Sequence, residues 1–311
     1  MGNVIVIDWG TSHLRAYLCQ LSTKNQLQLI DTKFALGVTK CNKKFEAELF
    51  NCIDDWVKKF GKLPIRMTGQ IGSSIGWKET SYLPCPVSPD EIANACLEFI
   101  CRGHDISIVP GVSCQFEDKH HDVMRGEELQ VLGWLNLEPN HQQGKYLVCL
   151  PGTHTKWVMV ENGKIILFKT AMTGELFDLL NNQSVLIQTP SSDFNESSFE
   201  QGAKYTLESE LGNFSHGVFS VRSNQLFGKL SQEEASSYLS GLLIGSDVRA
   251  AINASEWDIH SLNNVIIIGA DHLSNCFSTA LSMQNIPSTI CDAKLSTISG
   301  FSKLNQPLSI S

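Results

Sequence analysis

Short apolar runs alternate along the chain with longer segments of helical periodicity. Residues 4–7 form a buried-strand pattern, and residues 15–21 predict a second strand that folds back on the first as a hairpin. Residues 45–60 carry apolar side chains at helical spacing and are followed by Gly61, a common helix stop. A strand at 64–68 comes next, so the opening third already predicts an α/β protein.

The middle of the chain continues this alternation. Residues 69–78 form a loop rich in glycine and serine, a helix is predicted near 90–102, and a strand follows at 106–109. The polar stretch 115–122 is the best candidate for a boundary between two lobes. We therefore expect an N-terminal lobe over 1–117 and a C-terminal lobe over 118–311.

The second half begins with a helical pattern and repeats the strand-rich opening. The helix is predicted over 127–137, three strands at 146–150, 157–160 and 164–168, a long helix over 233–252, a buried strand at 265–268 and a helix near 274–283. The tail is not placed by its pattern, and its last helix could return to the N-terminal lobe.

Composition and charge narrow the class of protein. With 311 residues and 42% hydrophobic content the chain can bury substantial cores, and its net charge of −8 disfavours general nucleic-acid binding. The ten cysteines are scattered without a Cys-x-x-Cys pair, which favours reduced thiols. There is no run of about 18 apolar residues, so we expect no membrane span and a cytoplasmic protein.

Two similar turns suggest phosphate binding. Gly10-Thr11-Ser12 lies between two strands with Arg15 nearby, and Gly152-Thr153-His154 repeats the arrangement with Lys156. Glycine permits close approach of the backbone to a ligand, while hydroxyl and N–H groups donate to phosphate oxygens. An ordinary hairpin turn is the alternative interpretation of either turn alone.

Asp8 strengthens the phosphate interpretation because a carboxylate at the end of an apolar strand needs a cation or donors. Mg²⁺ bound to nucleotide phosphates is such a partner, and a cap on the following turn is the alternative. The chain contains neither a Walker A motif, nor a Rossmann glycine motif, nor the motifs of protein kinases. The strand–Asp-x-Gly-Thr–strand scheme remains.

Transfer of a phosphoryl group to a hydroxyl needs a carboxylate that accepts the proton. Glu127 is the first candidate and Glu128 the second, because both open the predicted helix ahead of the second turn, where acidic residues are also favoured by the helix dipole; Glu175 is the third candidate. The hydroxyls and a carboxylate of a substrate could be held by the 69–78 loop, which follows a strand. Its candidate residues are Gly72, Ser73, Ser74, Trp77 and Lys78, with an ordinary surface turn as the alternative.

Six ordered blocks, from Val4 to about Met283, together resemble the 2-dehydro-3-deoxygalactonokinase family of the actin/hexokinase/Hsp70-like ATPase superfamily. The blocks are 7–16, 72–78, 123–128, 151–157, 173–176 and 239–245. The resemblance implies a two-lobed actin-like ATPase (ribonuclease H-like) fold, in which each lobe is a mixed β-sheet flanked by helices and the ligands occupy the interlobe cleft.

The resemblance also implies a reaction, in which ATP with Mg²⁺ phosphorylates the 6-hydroxyl of 2-dehydro-3-deoxy-D-galactonate. Asp8 would organise the metal, Gly269 and Ala270 would contact adenosine, and Arg125 or Lys78 would meet the substrate carboxylate. His13, Ser74 and the 269–271 segment depart from the family pattern. A kinase for a different sugar acid, and a non-catalytic nucleotide-gated protein, therefore stay open as alternatives, as does a homodimer.

Overall fold

The computed structural model describes residues 2–23, 26–208, 214–262 and 264–304. Its contacts divide the chain into two compact units. The first unit comprises 1–144, 160–168 and 293–311 as far as they are described, and the second comprises 145–159 and 169–292.

Strands and helices alternate along most of the chain. The strands are β1 (Asn3–Trp9), β2 (His13–Leu21), β3 (Leu27–Leu36), β4 (Ile65–Thr68), β5 (Tyr82–Pro84), β6 (Leu97–Cys101), β7 (His104–Ile108), β8 (Gly111–Gln115), β9 (His121–Met124), β10 (Lys145–Leu150), β11 (Thr155–Glu161), β12 (Lys164–Ala171), β13 (Val265–Gly269) and β14 (Ser288–Asp292). The helices are α1 (Phe45–Phe60), α2 (Pro89–Asn94), α3 (Glu127–Leu137), α4 (Thr173–Gln183), α5 (Glu196–Glu208), α6 (Phe214–Gly217), α7 (Ser220–Leu226), α8 (Ala235–Ile252), α9 (Asp271–Ser282) and α10 (Ala293–Leu304).

The first unit is built on a six-stranded sheet of order β3-β2-β1-β4-β7-β6. β1 pairs antiparallel with β2 and parallel with β4, and β4 pairs parallel with β7. Helix α1 buries its apolar face, including Leu49 and Ile53, in one cluster with Ile5 and Ile7 of β1. Burial of this face explains why the helical period of 45–60 predicted the element correctly.

The same unit contains a smaller sheet and the C-terminal helix. Strands β5, β8 and β9 form a three-stranded sheet, and α10 packs against α3. The approach of the two helices is so close that a Cβ on Gly133 of α3 would lie 1.6 Å from the Ser296 carbonyl oxygen. Glycine is therefore required at this helix crossing.

A second large sheet has five strands in the order β12-β11-β10-β13-β14, in which β10, β13 and β14 are parallel. The two large sheets share one arrangement. In each, the third, second and first strands of the sheet lie side by side in that order, and two strands from later in the chain follow, parallel to the first. Helices α5 and α8 pack closely through Gly202 and Gly241, whose added Cβ atoms would meet backbone oxygens at 2.1 and 2.0 Å. The mixed α/β fold predicted from the sequence is confirmed.

One predicted helix is wrong. The segment 90–102 forms only the short α2, followed by the strand β6. Ser88 and Glu91 form a capping box that starts α2, while Arg102 (φ 49°) and Gly103 (φ 76°) turn β6 back onto β7 as a hairpin. Because the turn at 102–103 reverses the chain, residues 97–101 pair with β7 as a strand, where a continuous helix was expected.

The polar stretch 115–122 connects β8 and β9, which pair antiparallel within the first unit. Residues 118–144, which the sequence assigned to the second lobe, belong to the first unit by their contacts. The unplaced tail forms β14 in the second unit and α10 in the first. Within the described ranges, we find no helix that is both long and apolar enough to span a membrane.

Candidate functional site

The hairpin between β1 and β2 presents Asp8 and the first glycine turn. Asp8 and Arg15 are directly opposite in the ladder, and Arg15 Nη1 donates to Asp8 Oδ2 at 3.1 Å. Gly10 N–H donates to the His13 carbonyl at 2.9 Å, which closes the turn around Thr11 and Ser12. Burial raises the pKa of Asp8, and the Arg15 guanidinium opposes that rise.

Residues 37–39, which follow β3, hold this turn in place. Val38 N–H donates to the Gly10 carbonyl at 3.0 Å, and Thr39 donates to the Thr11 carbonyl through both its N–H and its hydroxyl. A Cβ on Gly37 would lie 2.3 Å from the Ser12 carbonyl carbon, so only glycine permits this approach. Gly37 lies outside every motif that the sequence offers for this site.

Two glycines bring the hairpin, the 69–78 loop and α3 together within the first unit. Gly69 has φ +91°, and a Cβ there would lie 2.8 Å from the Trp9 carbonyl oxygen and 3.4 Å from Asp8 Oδ1. Gly126 has φ +111°, and its Cβ would lie 3.3 Å from Gly69 Cα. The N-terminus of α3, with its two glutamates, therefore lies beside the segment that contacts Asp8.

The two glutamates of α3 have different environments. Glu128 is fully buried, accepts the Gly126 N–H at 2.7 Å through Oε2 and accepts the Thr68 hydroxyl at 3.4 Å through Oε1. Burial, with the neighbouring Glu127 charge adding to it, raises the pKa of Glu128 to about 8. Glu127 is half-buried and accepts the Arg125 N–H at 3.1 Å. At neutral pH Glu128 is therefore mainly protonated.

Arg125 is buried behind the 69–78 loop. Its guanidinium donates to the hydroxyl and, at 2.9 Å, to the carbonyl of Thr80, and lies 4.3 Å from the centre of the Tyr82 ring. A Cβ on Gly72 would lie 3.1 Å from Arg125 Nη1. Its Nε is buried without a hydrogen-bond partner in the protein. Arg125 thus connects the start of α3 to the loop at Gly72.

The remaining loop residues have local partners. Ser73 donates its hydroxyl to the Gln70 carbonyl at 2.7 Å, and Ser74 is exposed. Trp77 packs edge-on against Phe99 with ring centres 5.3 Å apart, and Lys78 Nζ lies 4.8 Å from the centre of the same ring. Trp77 and Lys78 therefore form one group around Phe99.

The second glycine turn borders a cavity within the second unit. The cavity has a volume of about 460 Å³, and Gly152, Thr153, Thr155, Thr173 and Gly174 form one part of its lining. A Cβ on Gly174 would lie 2.4 Å from the Gly152 carbonyl oxygen, and Glu175 N–H donates to the Thr153 carbonyl at 2.9 Å. The N-terminus of α4 therefore packs directly on the turn.

The charged residues of this turn are paired within the second unit. His154 Nε2 lies 2.5 Å from Glu175 Oε2, and both side chains are partly exposed. Lys156 is buried and donates to the Thr170 hydroxyl at 2.7 Å. Glu175 is therefore associated with the second turn, whereas Glu127 and Glu128 lie in the first unit.

The rest of the cavity combines apolar and aromatic side chains with polar ones, among them Ser191, Ser192 and Asp193. Phe194 and His272 meet edge to face with ring centres 4.6 Å apart, and Phe277 and Leu243 add to the wall. Ser236, Ser237 and Ser240 of α8 supply hydroxyls. A cavity with apolar walls and a set of polar groups is typical of a small-molecule site.

Gly269 and Ala270 lie at the end of β13, just before α9. A Cβ on Gly269 would lie 3.2 Å from Cδ of Pro151 and 3.1 Å from the Ser274 hydroxyl, which is buried without a hydrogen-bond partner. The cavity itself is lined by the following residues of α9, including His272 and Leu273. The motif residues thus position the start of α9.

Each of the two larger sheets has a glycine–threonine turn after its first strand, an arrangement that suits phosphate groups, and the class of protein, a kinase that acts on a sugar acid, follows from its family. The family model described as 2-keto-3-deoxy-galactonokinase matches residues 8–304. The chain belongs to this family.

Individual relatives agree with this assignment. The chain is 37% identical over 246 residues to the 2-dehydro-3-deoxygalactonokinase of Escherichia coli (strain K12), covering 78% of each chain. It is 31% identical over 305 residues to a probable 2-dehydro-3-deoxygalactonokinase of Rhizobium meliloti (strain 1021), covering 97% of this chain and 96% of the relative. A crystal structure from Sinorhizobium meliloti, assigned to the same activity, superposes with a TM-score of 0.84 at 30% identity over 97% of both chains.

Proposed function

We propose that this protein transfers the terminal phosphoryl group of ATP to the 6-hydroxyl of 2-dehydro-3-deoxy-D-galactonate. The observation that carries the proposal is the match of a single kinase family model to residues 8–304. The product is 2-dehydro-3-deoxy-6-phospho-D-galactonate, an intermediate in the breakdown of D-galactonate.

The nucleotide interpretation is supported by the cavity of the second unit. Its apolar walls suit a purine ring, and the Gly152–His154 turn at its edge offers backbone N–H groups for phosphate oxygens. Thr11, Ser12 and Arg15 offer a further set of donors in the first unit. Phosphate binding at the Gly152–His154 turn is our proposal for the nucleotide site of the second unit, and phosphate binding at the Gly10–Ser12 turn is a separate proposal for the first unit.

Asp8 fits the role of a magnesium-organising residue. Its carboxylate lies at the end of β1, next to the Gly10–Ser12 turn and to Gly69. A Cβ on Gly10 would meet no atom closer than 3.5 Å. Mg²⁺ usually keeps several waters and binds through one or two carboxylates together with substrate phosphates, and when bound it neutralises charge on the phosphates. Arg15 holds the carboxylate in place from the opposite strand.

Glu127 remains our candidate for the base that accepts the proton of the sugar hydroxyl. Glu128 is fully buried, engaged with Gly126 and Thr68, and mainly protonated at neutral pH, so it lacks both the access and the charge of a base. Glu175 pairs with His154. Glu127 is half-buried at the start of α3 and its Oε2 accepts the Arg125 N–H at 3.1 Å, and the partial exposure of this residue supports its proposed role.

The sugar acid is proposed to bind near Gly72, Ser73 and Ser74. Arg125 is nearly enclosed by Thr80, Tyr82 and Gly72, so we assign it to positioning this loop and keep Lys78 as the candidate for direct contact with the substrate carboxylate. Trp77 supports Lys78 through the shared Phe99 ring.

The test is a panel of sugar acids in a coupled assay of ADP release. The panel contains 2-dehydro-3-deoxy-D-galactonate, 2-dehydro-3-deoxy-D-gluconate, D-galactonate and D-gluconate, each at saturating MgATP. We expect the first compound to give the highest kcat/KM. A higher value for another acid would correct the substrate, and ATP hydrolysis unaffected by every acid would contradict the kinase proposal.

The cellular location and the oligomeric state belong to the same proposal. The ten cysteines are free thiols in the structure, which supports a reducing, cytoplasmic location. The homodimer that the sequence left open is a question for sedimentation of the purified protein.

A further inference from the structure

Helix α8 carries a buried carboxyl group, Asp247, in an otherwise apolar environment. Trp157 Nε1 donates to its Oδ1 at 2.9 Å, and the Thr173 hydroxyl donates to its Oδ2 at 2.5 Å. The side chain belongs to a residue that is only 7% exposed. A buried carboxylate is costly unless hydrogen bonds satisfy it, so its presence calls for a functional or structural reason.

The two donors belong to the segments on either side of the Gly152–His154 turn. Trp157 lies in β11, three residues after His154. Thr173 is the first residue of α4, and the next residue, Gly174, packs on the Gly152 carbonyl. Asp247 therefore connects one helix to both segments that hold the turn.

The same carboxyl group lies behind the wall of the cavity. Thr173 and Thr155 both line the cavity, and the Thr155 hydroxyl also favours the ionised form of Asp247, although it makes no hydrogen bond of ordinary geometry. Any shift of the carboxyl group would move these residues at the edge of the turn. Asp247 of α8 thus contacts a residue of the cavity lining, Thr173, directly.

Protonation of Asp247 would alter the network because the protonated carboxyl becomes a donor at one oxygen, where a tryptophan N–H or a threonine hydroxyl now donates. Burial raises the pKa of Asp247 to about 6, against the lowering effect of Thr173, Trp157 and Thr155. The carboxylate form therefore prevails above about pH 6, and one of the two donated hydrogen bonds is disrupted as the pH falls below that value.

Other titratable groups around Asp247 are few among the described residues. Cys149 of β10 faces it, and burial raises the pKa of that thiol well above its ordinary value, so the thiol stays neutral. Lys156 alternates to the other face of β11, where its Nζ donates to Thr170. Glu175 of α4 pairs with His154. His272 of α9 lines the cavity and meets Phe194.

We propose that Asp247 is a positioning residue for phosphoryl transfer, whose carboxylate holds the Gly152–His154 turn and the start of α4 in the geometry that binds nucleotide phosphates. The inference rests on the proposed function, because it assumes that the cavity takes the nucleotide. Asp247 acts through Trp157 and Thr173 and does not touch the substrate.

The experiment compares Asp247→Asn with Thr173→Val and Trp157→Phe, which each remove one donor. Hydrogen bonds to charged groups contribute about 1.5–3 kcal/mol, so we expect kcat/KM for ATP to fall by roughly 10- to 150-fold in Asp247→Asn. We expect smaller losses in the other two variants. The KM for the sugar acid at saturating ATP should stay within about twofold of the wild-type value.

The pH profile separates positioning from a purely structural role. In the wild type, KM for ATP should rise as the pH falls below about 6. This rise should be absent in Asp247→Asn, which no longer titrates. If a group other than Asp247 caused the rise, the profile of Asp247→Asn would keep it, and the proposal would be overturned.

Trp257→Phe is the matched control, because Trp257 Nε1 is also buried and donates to the Ala251 carbonyl at 2.8 Å, away from the turn. It should lower thermal stability but leave KM for ATP unchanged. If Asp247→Asn does not fold, Thr173→Val and Trp157→Phe carry the same comparison. Variants that lose only stability, with wild-type KM for ATP and pH profile, would overturn the proposal.

Calorimetric titration of ATP distinguishes failure of this inference from failure of the proposed function. A wild-type protein that binds ATP but phosphorylates no sugar acid would refute the function, while the variants would still test Asp247 through their ATP affinity. A wild-type protein that does not bind ATP would overturn both.

Discussion

Glu127 and Glu128 are adjacent in the sequence but differ in exposure and in charge. Glu128 is fully buried with a pKa of about 8, whereas Glu127 is half-buried at the first residue of α3. Helical geometry places consecutive side chains about 100° apart, so one can face the interior while its neighbour faces a ligand. The difference in exposure supports the order that the sequence proposed, with Glu127 ahead of Glu128.

Removal of the proposed base tests this choice. Glu127→Gln keeps the shape of the side chain but cannot accept a proton, so kcat should fall by about 10²–10⁴-fold with little change in KM for ATP. Steady-state kinetics at saturating substrates measure the effect. Glu138→Gln, an exposed residue just after α3, is the matched control and should retain wild-type turnover. Near wild-type kcat in Glu127→Gln would exclude Glu127 as the base.

Glu128 predicts a pH dependence of stability. Its folded-state pKa of about 8 lies above the ordinary value of 4.5, so the folded protein binds more protons between these values. The corresponding stability is fully present below about pH 4.5 and is lost as the pH rises through 8.

Glu128→Gln removes this titration. Between pH 5 and 8 the wild type should lose stability relative to the variant by up to about 1.4 kcal/mol per pH unit. Urea unfolding at pH 5, 6, 7 and 8 measures the difference, and the contribution of Asp247 cancels because both proteins contain it. Parallel stability curves for the two proteins would show that Glu128 is ionised in the folded state.

At the scale of elements, the first unit depends on the contact of Gly69 with the end of β1. Gly69 and Gly61 have similar backbone angles, with φ of 91° and 74° and ψ of −155° and −149°. A Cβ on Gly61 meets nothing within 4 Å, while one on Gly69 lies 2.8 Å from the Trp9 carbonyl oxygen. The two positions thus separate backbone strain from steric contact.

Alanine at these two positions should have unequal effects. Both substitutions carry a backbone cost of about 1–3 kcal/mol, because this conformation is nearly restricted to glycine. Gly69→Ala should lose further stability and also activity, since the displaced Trp9 carbonyl adjoins Asp8. Urea unfolding and turnover of the two variants measure this. Equal losses of stability, with activity intact in both, would show that the Gly69 contact is not required.

Periodic elements could be predicted from the sequence because one buried face determines them. The helices at 45–60 and 127–137 and the first hairpin were placed nearly to the residue. β6 was missed because its five residues follow α2 closely, and only the left-handed turn at 102–103 shows the break. The 115–122 stretch looked like a linker because polarity is common to linkers and hairpin loops.

The site could be predicted only in its local parts. Each glycine turn is one continuous segment, so its hydrogen-bond donors could be identified from the sequence. Both segments are confirmed as turns between strands. The contacts of Gly37, Gly69 and Gly126 join distant segments, and nothing in the local sequence reveals their partners. Asp247 was missed for the same reason, although a lone acidic residue in an apolar helix is a signal that could have been followed.

At the scale of the whole molecule, nucleotide binding should stabilise the fold. A ligand that binds only the folded state at 100 times its Kd adds about 2.7 kcal/mol, so saturating MgATP should raise the midpoint of thermal unfolding. EDTA or Asp8→Asn should reduce this shift if Asp8 organises the metal. Asp105→Asn, an exposed carboxylate on β7, is the control for loss of one charge. An unchanged shift in Asp8→Asn would remove Asp8 from the metal site.

The chain as a whole is matched to one kinase family, so the central claim concerns the bond that is formed. The most direct measurement is phosphorus–proton correlation NMR of the product made from ATP and 2-dehydro-3-deoxy-D-galactonate. We predict one new phosphate ester whose phosphorus couples to the two protons on C6, in amounts equal to the ADP released. Release of inorganic phosphate without an ester, or an ester at another carbon, would contradict the account.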